Sequence, residues 1–181
     1  MINFCNKCGS KVASAFPPDE DRERRVCQSC GFVHYENPKM VVGCIPVWKD
    51  EILLVRRAIE PRLGKWTLPA GYLENGETVA DGARRETTEE AGADTGELIP
   101  YGLYNLTPVN QIYMMFRTDL LHTDFRGGTE SLEVKLFKAS DIPWDEMAFK
   151  VITVCLERFL ADRSRGEYPF HTEDITFVKR S

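Results

Sequence analysis

Two groups of residues in this sequence have types and spacings that imply chemistry. The first is Cys5-x2-Cys8 followed by Cys27-x2-Cys30, with eighteen residues between the pairs, a spacing that matches structural zinc sites. A two-residue gap lets both thiolates of a tight turn face one ion, and two such turns complete a closed tetrahedral site. Gly9 and Gly31 directly follow the second cysteine of each pair, where the chain must turn sharply. Two disulfides are the alternative. They are disfavoured because Met1-Ile2-Asn3-Phe4-Cys5 lacks the basic region and apolar run of a secretory signal. The expectation is a structural Zn2+ held by Cys5, Cys8, Cys27 and Cys30. Cys44 and Cys155 sit in apolar runs and read as buried core thiols.

The second group lies between Gly71 and Ala93. On a helix, Glu86, Glu89 and Glu90 stand at i, i+3 and i+4, so their carboxylates share an arc of roughly 100°. Three like charges so close repel one another, and a surface helix would normally intersperse bases at those spacings. The cost makes sense if divalent cations sit there, because hard oxygen ligands suit Mg2+ or Mn2+. A solvated acidic helix is the plain alternative. Gly82 and Ala83 lie on or beside the same face, small enough for a glycine loop and a phosphate chain to approach.

The wider pattern, Gly71-x5-Glu77-x7-Arg85-Glu86-x2-Glu89-Glu90-x-Gly92, resembles the box of the Nudix hydrolases. Seven fixed positions at roughly 6–7% background frequency make chance agreement ~10⁻⁸ per starting site. Thr87 stands where the family usually has an aliphatic residue, and Ala93 is a small version of the terminal apolar residue. Both bear on helix packing more than on metal ligation. The preceding Trp66-Thr67-Leu68-Pro69-Ala70 also looks like the family. The ribbon in front resembles the subgroup of NADH pyrophosphatases and chloroplast-type FAD or ADP-ribose pyrophosphatases.

The resemblance implies an α/β (α+β) fold: the Nudix αβα sandwich with a mixed sheet, preceded by a small zinc ribbon. It implies that Glu86, Glu89, Glu90 and the Gly71 carbonyl ligate catalytic Mg2+ or Mn2+. Arg85 would orient a glutamate by a charge-assisted hydrogen bond, with Glu77 as its partner. The implied reaction is attack of water on a phosphorus of a nucleoside diphosphate linked to a second group. Glu90 could act as the general base, or a downstream carboxylate could; Glu130 and Glu133 are the candidates, with Glu133 preferred over a plain pair of exposed strand-edge acids. NADH pyrophosphatases of this subgroup carry a Ser-Gln-Pro-Trp-Pro-Phe-Pro-like stretch soon after the box. This chain has Asn105-Leu106-Thr107-Pro108-Val109 there, with Pro108 fifteen residues beyond Ala93, similar to a proline of ADP-ribose pyrophosphatases. The implied substrate is ADP-ribose or FAD, releasing AMP. The alternatives are an NADH pyrophosphatase, a housecleaning nucleotide hydrolase, or a nonenzymatic ligand-binding or zinc-ribbon interaction module.

The elements that must position these residues follow from pattern. The chain reads as a ribbon over 1–38, a catalytic domain over 39–165 and a tail over 166–181. Met40 to Trp48 and Glu51 to Arg57 read as paired strands about Lys49-Asp50, and Trp66 to Leu68 as a short strand. Residues 70–77 read as a loop, Thr78 to Ala91 as a helix stopped at Gly92, and 97–104, 111–120 and 132–138 as strands. A last helix over 149–163 has an apolar stripe of Val151, Ile152, Val154, Cys155, Phe159 and Leu160. Arg56, Arg57, Arg62 and Lys65 flank the loop before Trp66 and could touch phosphates. Trp66, Tyr101, Tyr104 and Tyr113 could stack on a base, though core packing is as good a reading. His34, His122 and His171 share no metal-like spacing.

Composition bounds the partners. The chain has 181 residues, enough for a buried core, and a net charge of -5 from 23 basic and 28 acidic side chains. That balance argues against broad binding to nucleic acid or anionic membrane, and residues 1–38 carry five bases against five acids. No stretch approaches the roughly 18 apolar residues of a membrane span. A cytoplasmic protein with a small-molecule nucleotide substrate, no nucleic acid and no membrane partner is expected; a homodimer is left open.

Overall fold

The computed structural model describes residues 2–176, and the chain divides into two compact units, Met1–Asn37 and Pro38–Ser181. In the first, β1 (Val12–Ala15), β2 (Arg24–Cys27) and β3 (Val33–His34) form an antiparallel sheet in that order. Its buried apolar cluster is Cys5, Val12 and Cys27, with Ile2 packed against them. So small a core cannot offset the ordering entropy of the segment, and a bound metal is the usual remedy.

The second unit is built on a mixed sheet. Its elements are β4 (Lys39–Trp48), β5 (Glu51–Arg57), β6 (Trp66–Thr67), β7 (Ala70–Tyr72), α1 (Val79–Ala91), β8 (Ile99–Leu106), β9 (Gln111–Asp119), β10 (Ser131–Lys138), α2 (Lys150–Arg165) and β11 (His171–Asp174). The strand order is β10-β5-β4-β9-β8-β11, with β6 on β5 and β7 on β4. The β4–β9 and β8–β11 pairs are parallel and the others antiparallel.

Alternation along the central strands feeds two cores. Val41, Ile45, Ile52 and Leu54 pack with Val151, Ile152, Cys155, Leu156 and Phe159 of α2. Val42 and Cys44 pack with Ala83 of α1, and Leu53 and Val55 with Ala91. With a helix over each face, β4 has no solvent side, which is why it reads as an unbroken apolar run. The αβα sandwich implied by the resemblance is present.

Two segments differ from the sequence expectation. Ala70–Tyr72, expected within a loop, forms β7 against Val41–Gly43. The expected tail over 166–181 contains β11, paired in parallel with Gly102–Asn105 of β8. Its sequence, His-Thr-Glu-Asp, has no apolar alternation; tertiary bonds hold it instead. His171 Nε2 lies 2.6 Å from Asp162 Oδ2, and the Ile175 N–H donates to the Asn105 carbonyl at 2.8 Å. Asp162 is fully buried and also accepts from the Tyr101 hydroxyl at 2.6 Å.

Candidate active site

The cysteines of the ribbon come together. Their four Sγ atoms all lie within 4.8 Å of one another, and among the described residues they are the group of potential metal ligands gathered this closely. Cys5 and Cys30 are 3.8 Å apart and Cys8 and Cys27 3.4 Å. A tetrahedron with Zn–S bonds of ~2.3 Å has edges of ~3.8 Å, so the donor set fits the ion. The backbone supports it: the Gly9 and Gly31 N–H groups donate to the Cys5 and Cys27 carbonyls, at 2.8 and 3.0 Å. Hydrogen bonds from Ser10 pull the Cys8 thiol down to about 6, while Cys30, despite a backbone bond from Phe32, is pushed up to about 11 by the neighbouring Cys8 and Cys27 thiols.

The carboxylates stand on α1. Thr78 caps its N-terminus, accepting from the Asp81 N–H at 3.1 Å, and Gly92 ends it at φ 58, donating to the Thr88 carbonyl. Thr87 is fully buried, yet its hydroxyl donates to the Ala83 carbonyl at 2.8 Å. That bond is how the helix accepts a polar residue where the family usually has an aliphatic one.

Arg85 is the hub of the acidic face. It holds Glu77 through two bonds, Nε to Oε2 at 3.0 Å and Nη2 to Oε1 at 2.8 Å. Its Nη1 donates to Glu86 at 2.7 Å and Glu89 at 2.9 Å, and Nη2 to the Tyr72 carbonyl at 3.0 Å. The fork pulls the Glu77 carboxyl down to about 2, with the Glu74 N–H assisting. Glu90 has the opposite environment. Burial pushes it up to about 8 against the Ala70 N–H, which donates to Oε2 at 2.9 Å, and the charges of Glu86 and Glu130 add to the rise. Burial also raises Glu86, opposed by Arg85. Gly71 passes directly over the Glu86 carboxylate, where a Cβ would fall 2.3 Å from its oxygens. A side chain at 71 would have to push that carboxylate aside.

A cavity of about 1490 Å³ opens beside these groups. Gly71, Arg85, Glu86, Glu89, Glu90 and Glu130 line it, and Leu106, Val109, Tyr113, Phe149 and Val151 give it apolar wall. Arg57 and Arg62 line it too, with the Arg57 guanidinium 5.2 Å above the Phe149 ring. The exposed Tyr72 also contributes, its hydroxyl accepting from Gln111 Nε2 at 2.9 Å.

Glu133, the downstream carboxylate preferred from the sequence, does not line this cavity. It sits on β10 opposite Arg56, 3.8 Å from that guanidinium. Glu130, in the loop before the strand, lines the cavity instead. Of the four flanking bases, Arg57 and Arg62 reach the cavity; Arg56 donates to the Gly64 carbonyl. Tyr101 and Tyr104 are fully buried in the core, as is nearly all of Trp66. Pro108 opens a single 3-10 turn, Thr107–Val109, and its neighbours Leu106 and Val109 face the cavity. Tyr72, Gln111 and Phe149 went unrecognised in the sequence, where each looks like an ordinary strand or helix-cap residue.

Comparison with known proteins agrees with this geometry. The NUDIX domain family matches residues 37–154, and the Nudix N-terminal family, a zinc ribbon, matches residues 3–36. The chain belongs to the Nudix family. It is similar to a solved NUDIX hydrolase from Nitrosomonas europaea, with 47% identity, a TM-score of 0.92, and coverage of 96% of this chain and 99% of that one. It is 26% identical over 172 residues to the NAD-capped RNA hydrolase NudC of Pseudomonas aeruginosa, covering 92% of this chain. It is 28% identical over 113 residues to an ADP-ribose pyrophosphatase of Methanocaldococcus jannaschii, covering 60% of this chain and 67% of that protein. The chain spans 58% of the length of the Pseudomonas relative. Among the described residues, no helix is long and apolar enough to cross a membrane.

Proposed function

We propose that this chain is a divalent-metal-dependent pyrophosphohydrolase that cleaves a nucleoside diphosphate linked to a second group, taking ADP-ribose or FAD and releasing AMP. The observation that supports this most is the composition of one continuous cavity. Carboxylates, Arg85, Arg57, Arg62 and apolar side chains line the same space, with the Arg57 charge reaching Glu90. Its 1490 Å³ exceeds the roughly 300–1,000 Å³ typical of small-molecule sites, so it has room for a two-headed substrate. The names of the Pseudomonas and Methanocaldococcus relatives, both acting on molecules with a nucleoside diphosphate linkage, favour the same class.

In this reading Glu86, Glu89, Glu90 and the Gly71 carbonyl hold Mg2+ or Mn2+, a donor set of hard oxygens that fits those ions. The bound cations would acidify the attacking water and neutralise charge on the diphosphate. Arg85 keeps the helix carboxylates in register through its fork on Glu77. Arg57 meets the diphosphate oxygens, and Glu130 takes the proton of the attacking water. Glu130 is preferred to Glu133 because it lines the cavity and its charge reaches Glu86 and Glu90. The four cysteines hold a structural Zn2+ that has no part in the chemistry.

The test is kcat/KM for ADP-ribose, FAD, NADH, an NAD-capped oligonucleotide and a nucleoside triphosphate, each in Mg2+ and Mn2+. ADP-ribose or FAD should lead, with AMP among the products. If NADH, the capped oligonucleotide or the triphosphate leads by more than about tenfold, the substrate assignment is wrong.

A further inference from the structure

Gly127 and Gly128 lie side by side in the loop between β9 and β10, and their surroundings differ. Neither is among the positive-φ glycines, so backbone conformation does not demand glycine at either place. Space demands it at one. A Cβ on Gly128 would fall 1.8 Å from the Glu89 carbonyl oxygen and 3.0 Å from its carbon, main-chain atoms of α1 that cannot swing aside. At Gly127 the nearest atom would be the Ser131 carbonyl oxygen at 3.2 Å, a tight contact that a shift of a few tenths of an ångström relieves.

The close approach serves a hydrogen bond. The Gly128 N–H donates to the Glu90 carbonyl at 3.1 Å, one of the carbonyls that the end of a helix leaves without an intrahelical partner. The Ser131 N–H then donates back to the Gly128 carbonyl at 3.1 Å, closing a turn around Thr129 and Glu130. On the far side, the Ala58 N–H donates to the Glu130 carbonyl at 2.8 Å. The main chain at Glu130 is therefore strung between the last turn of α1 and the end of β5, with its side chain on the cavity beside Glu86, Glu90 and Arg57.

We propose that Gly128 is a positioning residue: the absence of a side chain lets this loop dock on the main chain of Glu89 and Glu90, and the docking holds the Glu130 carboxylate over the reaction centre. The proposal rests on the hydrolase reading given above. Any Cβ at 128 forces the loop back by more than about 1 Å, and a displacement of that size at a reacting group costs about 100-fold in rate.

The experiment compares Gly128→Ala, Gly127→Ala, Glu130→Gln and the double variant Gly128→Ala/Glu130→Gln in the full, zinc-loaded chain. Gly127→Ala should keep near-normal kcat. Gly128→Ala should lower kcat about 100-fold with little change in KM, and should speed hydrogen exchange over residues 122–131. In the Glu130→Gln background the same change should cost almost nothing more. Ala58→Pro removes the second tether without adding an atom near α1, and covers the case in which Gly128→Ala does not fold. It too should lower kcat with Glu130 present and not without it. Equal losses with and without the Glu130 carboxylate would overturn the proposal, as would loop exchange unchanged by Gly128→Ala. If the unaltered chain cleaves none of the diphosphates, the hydrolase reading fails, while the docking is still judged by the exchange measurement.

Discussion

Replacing Glu90 by glutamine probes the electrostatics of the cavity without reference to turnover. Glu90 is only 8% exposed, and its burial pushes the carboxyl from an ordinary 4.5 up to about 8. Below the ordinary value, folded and unfolded chains both carry the proton and the fold loses nothing. As pH rises, the unfolded chain ionises freely while the folded one keeps its proton, so stability drains away until pH passes about 8. At about 1.4 kcal/mol per pKa unit, the drain amounts to at most about 5 kcal/mol. Glutamine carries no titrating proton, and its amide oxygen can still accept from the Ala70 N–H. The expected outcome is a Glu90→Gln chain whose unfolding free energy falls much less than that of the wild type between about pH 5 and about pH 8.5, with Glu86, also raised by burial, supplying the residual slope. Urea titration in magnesium-free buffer measures this, with no chelator present to strip the ribbon. Trp48, Trp66 and Trp144, the chain's 3 tryptophans, all lie in the second unit, so intrinsic fluorescence follows that unit alone. Parallel pH profiles for the two proteins would refute the account of Glu90. If the account holds, a cation bound there must expel the proton, and wild-type magnesium affinity should rise about tenfold per pH unit between roughly pH 6 and 8.

Two further outcomes follow from other parts of the site. Arg85→Lys keeps the charge but loses the fork that holds Glu77, Glu86, Glu89 and the Tyr72 carbonyl; kcat should fall by at least about tenfold, with a weaker magnesium response, and near-normal kinetics would argue against the hub. Cys8→Ser should drop zinc from about one per chain to well below it without shifting the magnesium dependence of turnover, because the thiolates give no oxygen donor to the carboxylates; unchanged zinc content would remove Cys8 from the metal site.

The parts of the fold that were legible are those with local cause. Residues 40–57 declare a hairpin through their apolar run and the Lys49-Asp50 turn, and the structure has β4 and β5 there. The helix expected to start at Thr78 and stop at Gly92 runs Val79–Ala91, with those two residues as its caps. β11 has no such cause: it is polar, short, and held by Asp162 and Asn105, distant partners that a local pattern does not reveal. The different placement of Glu130 and Glu133 was illegible for a related reason. The six residues Thr129 to Val134 show two acids three apart, but not where the strand begins. It begins at Ser131, so Glu133 is fixed by pairing opposite Arg56 while Glu130 stays in the loop that crosses α1. Apart from Tyr113, the apolar wall of the cavity was illegible because Leu106, Val109 and Phe149 come from three separate elements, each with its own unremarkable pattern.

The acidic face then divides into groups with different duties, and the division comes from environment rather than residue type. Glu77 and Glu90 are both glutamates of the same motif, yet Arg85 pulls one down to about 2 while burial lifts the other to about 8. Glu77 is ionised at any working pH and spends its charge on the Arg85 fork, which leaves it no part in proton transfer. Burial favours the protonated form of Glu90; on the proposed reading a bound cation displaces that proton, which suits a ligand and makes it a poor base once bound. On the proposed reading the base must therefore be a carboxylate that faces the cavity from outside α1. Glu60, Glu74 and Glu130 all do so, but Glu130 is the one whose charge reaches both Glu86 and Glu90, and the proposed docking at Gly128 is what keeps it there.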